Sequence, residues 1–358
     1  MQVSTIGLDL AKKVFQVHGV DAAGKTVMTR QLRRAQMLAF FKKLPPCLIG
    51  MEACATAHYW ARELIKLGHT VRLMPPAYVK AYVRRGKNDA ADAAAICEAV
   101  TRPSMRFVAV KSEEQQATLM AHRSRALLIG QRTQAINALR GHLAELGLIA
   151  EQGREGVAML IAHVRNEGAG ALPKAVCLGL EPLIAQLEAL HVQISALDKS
   201  LHTQHRASEA SRRLETIPGI GIIGATALVA TITDPQAFKS GRDPNSWCGA
   251  AWIGLVPRQN SSGGKERLGG ITKPGDRYLR QLLVAGASSV LKQARAHPDK
   301  YPWLVRLLAR RPAKVVMVAL ANKMARIAQR QRRVFDAGAV LVKGEVYRKP
   351  VPAVSPAC

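Results

Sequence analysis

Residues 3–20 read VSTIGLDLAKKVFQVHGV. This is two short runs of apolar and β-branched residues split by a pair of lysines, and it predicts a strand over Val3–Asp9 and a second over Lys13–Val20. A third run, Lys25–Leu32, follows a gap that carries Asp21 and Gly24, both turn formers. Beyond it the pattern alternates: a helical stretch over Arg33–Leu44, a strand over Cys47–Glu52, a helix around Trp60–Leu67, and a strand over Thr70–Met74 stopped by Pro75-Pro76. Three consecutive strands, then helix, strand, helix, strand, predict an α/β layer with a mixed sheet.

The chain has 358 residues, enough for two or three domains, and 48% hydrophobic residues supply a core. Lys and Arg number 52 against 25 Asp and Glu, a formal charge of +27. A surplus of that size points to a polyanionic partner, nucleic acid first. With 4% aromatic residues, extensive base-stacking platforms are not expected. The apolar run Val315–Ala321 is far shorter than the roughly 20 residues that span a bilayer. An acid at Asp9 interrupts the place where a secretory leader would be apolar. Six scattered cysteines without a CxxC pair (Cys47, Cys54, Cys97, Cys177, Cys248, Cys358) argue against a zinc site and read as small buried thiols in a reducing compartment. The expected location is the cytoplasm.

After residue 110 the pattern becomes helical. Glu113–Gly147 lacks proline and predicts one long helix; a glycine-rich break over Glu167–Pro173 follows. Leu183, Leu187, Leu190, Ile194, Leu197 and Leu201 then recur at alternating spacings of four and three, which reads either as an a/d seam that wants a partner helix or, with fewer than three full heptads, as the stripe of a plain core-facing helix. The partner is either the preceding helix folded back or a second subunit. Residues 206–340 are mostly helical around a polar, glycine-rich segment, Gly254–Gly275. Residues 300–358 carry 13 basic against 2 acidic side chains, and the tail from Lys343 reads as disordered. The expected divisions are 1–110, 111–205, 206–340 and a basic tail, 341–358.

Three constellations carry chemistry. Asp9 ends one apolar strand and Glu52 another, where a carboxylate costs desolvation energy unless a cation offsets it. Asp89 and Asp92, three apart in NDAADAAAI, share one face of a helix. Four such carboxylates suit one or two Mg²⁺ ions, and a pair of these stabilises both oxygens of a phosphodiester displacement. The stretch LETIPGIG (Leu214–Gly221) before IIGATALVATI reads as a helix-hairpin-helix, with Gly219 and Gly221 opening backbone N–H groups to a phosphate; a plain packing corner would use the same residues. The segment PRQNSSGGKER (Pro257–Arg267) reads as a flexible, basic loop that sets Ser261 and Ser262 beside Arg258, Lys265 and Arg267, with Lys273 close by in sequence; passive phosphate binding would use the same residues. A serine nucleophile would be activated here by metal or cation, and the absence of an adjacent histidine rejects a Ser-His-Asp hydrolase.

Together, IGLDLAKKVFQV, MEAC, KNDAADA, the IPGIG hairpin and GLVPRQNSSGGKERLGGITKPGDRYLR resemble the DEDD transposases of bacterial insertion sequences, relatives of the Piv and MooV recombinases. The element order of the first 110 residues is likewise that of the ribonuclease H-like fold. The resemblance implies a RuvC-like α/β N-terminal domain, a helical coiled-coil middle and a mostly α C-terminal domain. It implies an acidic tetrad at Asp9, Glu52, Asp89 and Asp92, and a catalytic serine best matched by Ser262, with Ser261 adjacent. It further implies double-stranded donor and target DNA as partners, a structured noncoding guide RNA, and a homodimer or homotetramer. Two rival readings use the same residues: a metal-dependent nuclease or junction resolvase with water as nucleophile, and a basic architectural protein with no chemistry.

Overall fold

The structure is a computed structural model that describes residues 2–83, 88–167, 172–234, 250, 253–265 and 267–336. Its contacts divide the chain after Gln116.

The first unit is built on a five-stranded sheet in the order β3-β2-β1-β4-β5. The strands are β1 (Thr5–Leu10), β2 (Val14–Val20), β3 (Thr26–Arg33), β4 (Leu48–Glu52) and β5 (Thr70–Met74). β1, β2 and β3 pair antiparallel, whereas β4 runs parallel to both β1 and β5. This is the mixed sheet expected from the sequence. The predicted helix over 33–44 is a 3₁₀ turn, Arg34–Gln36, running into the shorter α1 (Met37–Lys42); α2 (Ala57–Lys66) begins three residues earlier than expected.

Alternation along the strands decides which layer each side chain joins. Ile6, Leu8, Phe15, Val17, Ile49 and Met51 face α1 and α2, where Phe41, Trp60 and Leu64 complete a closed core. Each large apolar side chain so buried contributes about 1.5–3 kcal/mol. The opposite face takes α3 (Pro76–Val79) and α4 (Asp89–Val100), which bury Met74, Val79, Ile96 and Val100 between them. The sequence of α4, DAADAAAICEAV, is rich in alanine, so its backbone can sit close to the sheet. Gly7 and Gly50 meet it there: a Cβ on Gly7 would lie 2.0 Å from the Ala93 carbonyl oxygen and 2.4 Å from the Cys97 amide nitrogen, and one on Gly50 would lie 2.7 Å from Val100 Cβ.

The second unit is helical. α5 (Glu113–Ala144) is the expected long helix, α6 (Arg154–Ala162) follows, and α7 (Lys174–Ala207) carries the leucine seam. Leu187, Leu190, Ile194 and Leu201 are buried within this single chain. Leu187 packs with Leu180 and Ile184 on Leu139, Leu143 and Leu160 of α5 and α6, so at this level the seam's partner is the preceding helix folded back. Of the cysteines, Cys47 and Cys97 are buried as expected, but Cys54 is exposed; Cys248 and Cys358 lie outside the described residues, as does the tail 341–358.

α8 (Glu209–Glu215), α9 (Ile222–Thr231), α10 (Arg277–Ala296), α11 (Pro302–Leu308) and α12 (Ala313–Asp336) enclose the largest core, with Ile217, Leu228, Leu283 and Leu320 at its centre. A polar network ties α5 to it. Buried His122 reaches Tyr278 Oη and Thr226 Oγ1, each at 3.1 Å, and Arg125 meets Asp198 at 2.5 Å. Thr226 donates to the Ile222 carbonyl, so it accepts from the imidazole and Tyr278 donates to it. The ring is therefore neutral; burial, with the Arg125 charge adding, holds its pKa down to about 4.

Candidate active site

The acidic centre follows from sheet parity. Gly7 and Asp9 lie on the α4 face of β1. Leu8 pairs with Met51 in parallel register, so the next residues, Asp9 and Glu52, stand side by side at the carboxyl ends of adjacent strands. α4 settles on Gly7 and Gly50, and its first turn then falls next to Asp9. Asn88 caps that turn, its side chain accepting from the Ala90 N–H at 2.9 Å, and Asp89 and Asp92 occupy the turn itself. The helix N-terminus favours negative charge at this position.

The result is that Asp9, Asp89 and Asp92 each offer a carboxylate oxygen within 4.8 Å of the others. Glu52 lies outside that set of three but belongs to the same field. Its pKa is raised by burial first and by the charges of Asp9 and Asp92 next. Carboxylates drawn this close repel one another, and a hard divalent cation with oxygen ligands relieves that repulsion. The donor set fits such an ion. Thus three of the four predicted acids converge and the fourth borders them. The packing residues that make this possible, Gly7 and Gly50, were not singled out in the sequence, although a glycine inside a strand signals close backbone approach.

The serine segment belongs to the second unit. Sequence reading treats it as a flexible loop; it is instead a hairpin of β6 (Pro257–Gln259) and β7 (Leu268–Ile271). Asn260 donates to the Arg267 carbonyl at 2.8 Å and Lys265 to the Ser262 carbonyl at 3.1 Å. Gly263 and Gly264 close the tip with φ of 57° and 77°, the two successive positive values that a tight primed turn demands. Ser262 therefore sits at the last position before the turn, exposed, on a hairpin that also exposes Arg258, Lys265 and Arg267. The two serines differ: Ser261 Oγ accepts from the Arg267 N–H at 3.3 Å, whereas Ser262 Oγ has no partner among the described residues. At the hairpin base, Lys273 is held at φ 57° and donates to the Gly254 carbonyl at 3.1 Å, and Arg280 clasps the Ile253 and Pro274 carbonyls.

The LETIPGIG stretch forms the corner between α8 and α9. Gly219, at φ 88°, serves packing: its carbonyl lies where a Cβ on Gly286 of α10 would stand, at 1.8 Å. Gly221 has open space around it and is the N-cap of α9, which has no side-chain cap.

Comparison with known proteins agrees with this layout. Residues 6–147 match a family model for the DEDD transposase domain of IS110 type, and residues 211–301 match one described as Transposase IS116/IS110/IS902 family. The chain is 50% identical over 329 residues to a Pseudomonas aeruginosa protein described as "Probable family 20 transposase", covering 91% of this chain and 96% of that one. It is 39% identical over 327 residues to the transposase for insertion sequence element IS1328 of Yersinia enterocolitica, at 91% and 96% coverage. It is 37% identical over 351 residues to the transposase for insertion sequence element IS1111A of Coxiella burnetii, at 97% and 92%. The family implies DNA as substrate and a divalent metal as cofactor. With its acidic centre on a mixed sheet and its serine hairpin on a helical unit, the chain belongs to the DEDD transposases of the IS110 family, enzymes that cut and recombine DNA.

Proposed function

We propose that this transposase joins two half-sites into one reaction: an acidic tetrad that holds Mg²⁺ and a serine that attacks phosphorus. The observation that carries the reading is the convergence of Asp9, Asp89 and Asp92 at the sheet edge, with Glu52 beside them. Mg²⁺ bound there would supply Lewis-acid polarisation of a DNA phosphate. Ser262 Oγ bonds to phosphorus, losing its proton, and the bond from phosphorus to the departing deoxyribose oxygen breaks as that oxygen is protonated. The phosphoserine link keeps the bond energy for rejoining, and attack by a second DNA hydroxyl releases the serine. Arg258, Lys265 and Arg267 balance the charge that grows on the phosphate. Ser262 is favoured over Ser261 because the latter's hydroxyl is engaged by the hairpin backbone.

Lys273 and the uncapped helix start at Gly221 extend the phosphate contacts along duplex DNA, with Gly219 shaping that corner. By resemblance, a structured noncoding RNA pairs with donor and target DNA, and a homodimer or homotetramer supplies the several active sites that strand exchange requires. The two halves of one site are free to come from different subunits. The proposed divisions of the chain are those at residues 110, 205 and 340, and the proposed location is the cytoplasm, at the nucleoid.

The test incubates purified protein, RNA from the element's flanks and labelled donor and target DNA with Mg²⁺, followed by denaturing gels. A labelled protein–DNA band that Ser262→Ala and Asp9→Ala both abolish, and Ser261→Ala keeps, supports the hybrid site. Metal-dependent cleavage with no adduct in any variant assigns the nucleophile to water instead.

A further inference from the structure

We propose that Gln16 is a DNA-binding residue of the acidic centre, its amide N–H donating to a non-bridging oxygen of the phosphate drawn up beside Asp9. The inference rests on the reading of Asp9, Glu52, Asp89 and Asp92 as the cutting centre, and adds to it a neutral donor from β2.

The register places it. Asp9 is paired directly with Gln16 across the antiparallel β1–β2 ladder, and directly opposed residues project to the same face with Cβ atoms about 4.5–5.5 Å apart. Its chain neighbours Phe15 and Val17 point the other way, into the core against α1 and α2. Gln16 is only 5% exposed and makes no side-chain hydrogen bond among the described residues, and its amide atoms are not among the fully buried polar atoms that lack a partner, so the little surface it keeps is at the amide. An amide left at the surface is hydrated, and a charged acceptor that replaces the water forms a stronger hydrogen bond with it. The carboxylates converge one strand away, so a phosphate drawn up to them comes within reach of this amide.

The chemistry selects the ligand's class. A lysine or arginine at this position would pair with the acids and compete with a divalent cation for them. A glutamine offers two N–H donors without charge, so it holds a phosphate oxygen and leaves the carboxylates to the metal. The row continues outward. Gln31 of β3 pairs with Gln16, and Arg33, opposite Val14, lies two residues further along the same face; both are exposed. With strands about 4.8 Å apart, the row reaches about 10 Å from Asp9 to Gln31. That gives the flanking DNA backbone a polar shelf ending in a cation.

The test compares full-length wild type with Gln16→Met, which keeps the volume and loses the amide, Gln16→Glu, which keeps the shape and removes both donors, and Asp9→Asn. Three quantities are read: melting temperature, the shift of that temperature on adding Mn²⁺ without DNA, and the rate of Mg²⁺-dependent cleavage of a donor duplex with RNA from the element's flanks. Gln16→Met is expected to melt no lower than wild type, to keep the Mn²⁺ shift, and to cleave about 10- to 100-fold more slowly, the loss of one hydrogen bond to a charged group. Gln16→Glu is expected to cleave more slowly still. Wild-type cleavage by Gln16→Met overturns the proposal. So does a larger Mn²⁺ shift with retained cleavage in Gln16→Glu, which makes residue 16 a metal ligand. A melting temperature that falls in step with activity makes it a packing residue. If Asp9→Asn cleaves like wild type, the acidic centre itself is misread, a failure distinct from that of Gln16.

Discussion

Replacing Gly7 by alanine tests the seat on which the acidic centre is assembled. The added Cβ would stand 2.0 Å from the Ala93 carbonyl oxygen and 2.4 Å from the Cys97 nitrogen. The first distance falls about 1.4 Å inside ordinary 3.4 Å contact. Both atoms are helix backbone, which cannot swing aside as a side-chain tip can, so α4 must lift as a body. Overpacking of this kind costs about 1–3 kcal/mol. That outweighs the 0.5–1 kcal/mol that alanine ordinarily gains over glycine within a strand. In a unit of this size the expected fall in melting temperature is about 4–8 °C for each kcal/mol. The lift also carries Asp89 and Asp92 away from Asp9 by a distance comparable to the overlap, and misplacement by about 1 Å costs roughly 100-fold in rate. Purified Gly7→Ala is therefore expected to melt lower, to show a smaller Mn²⁺-induced stabilisation, and to cleave donor DNA at about a hundredth of the wild-type rate. A variant that melts at or above wild type and cleaves normally would refute this account of how α4 is seated.

Two further outcomes follow from burial. Leu187→Ala removes a side chain that is 1% exposed within one chain; urea titration should show a loss of about 2–5 kcal/mol, and sedimentation should show the wild-type oligomeric mass, whereas a changed mass with unaltered stability would place this leucine between subunits. His122 is 1% exposed and its pKa is depressed to about 4. Between about pH 6.5 and 4 the unfolded chain binds a proton that the folded chain refuses. Its contribution to stability is thus complete above pH 6.5 and falls as the pH drops toward 4, by up to about 3 kcal/mol. His122→Asn should flatten that part of the pH–stability curve, and a curve identical to wild type would show that the imidazole titrates alike in both states.

The sheet was legible because its strands alternate cleanly and its turns are marked, from Asp21 and Gly24 to Pro75-Pro76. Asp9 and Glu52 were legible as acids ending apolar strands, and Asp89 and Asp92 by their helical spacing. What escaped the sequence was tertiary. Nothing local distinguishes Gly7, which seats a helix, from a glycine that merely interrupts a strand. The heptad seam specifies a partner helix without naming it, and only the burial of Leu187 against Leu139 and Leu143 does so. The serine segment looked flexible because its strands are short and polar, outweighing the Gly263-Gly264 pair that marks a two-residue hairpin turn. The 33–44 helix was overextended because Arg34–Gln36 has helical composition while its hydrogen bonding is 3₁₀.

The acids of this protein are carried on a strand end and a capped helix start, both braced by backbone-to-backbone packing, so they are not free to drift apart when no cation lies between them. The mutual repulsion is built into the fold itself, and it adds to the burial that chiefly raises the pKa of Glu52. On the proposed reading of the site, neutralising one of these side chains would give a sturdier protein that no longer moves DNA. In a mobile element, where copies persist after losing activity, silent descendants should drift toward the relaxed state, leaving the tension intact only in lineages that still jump.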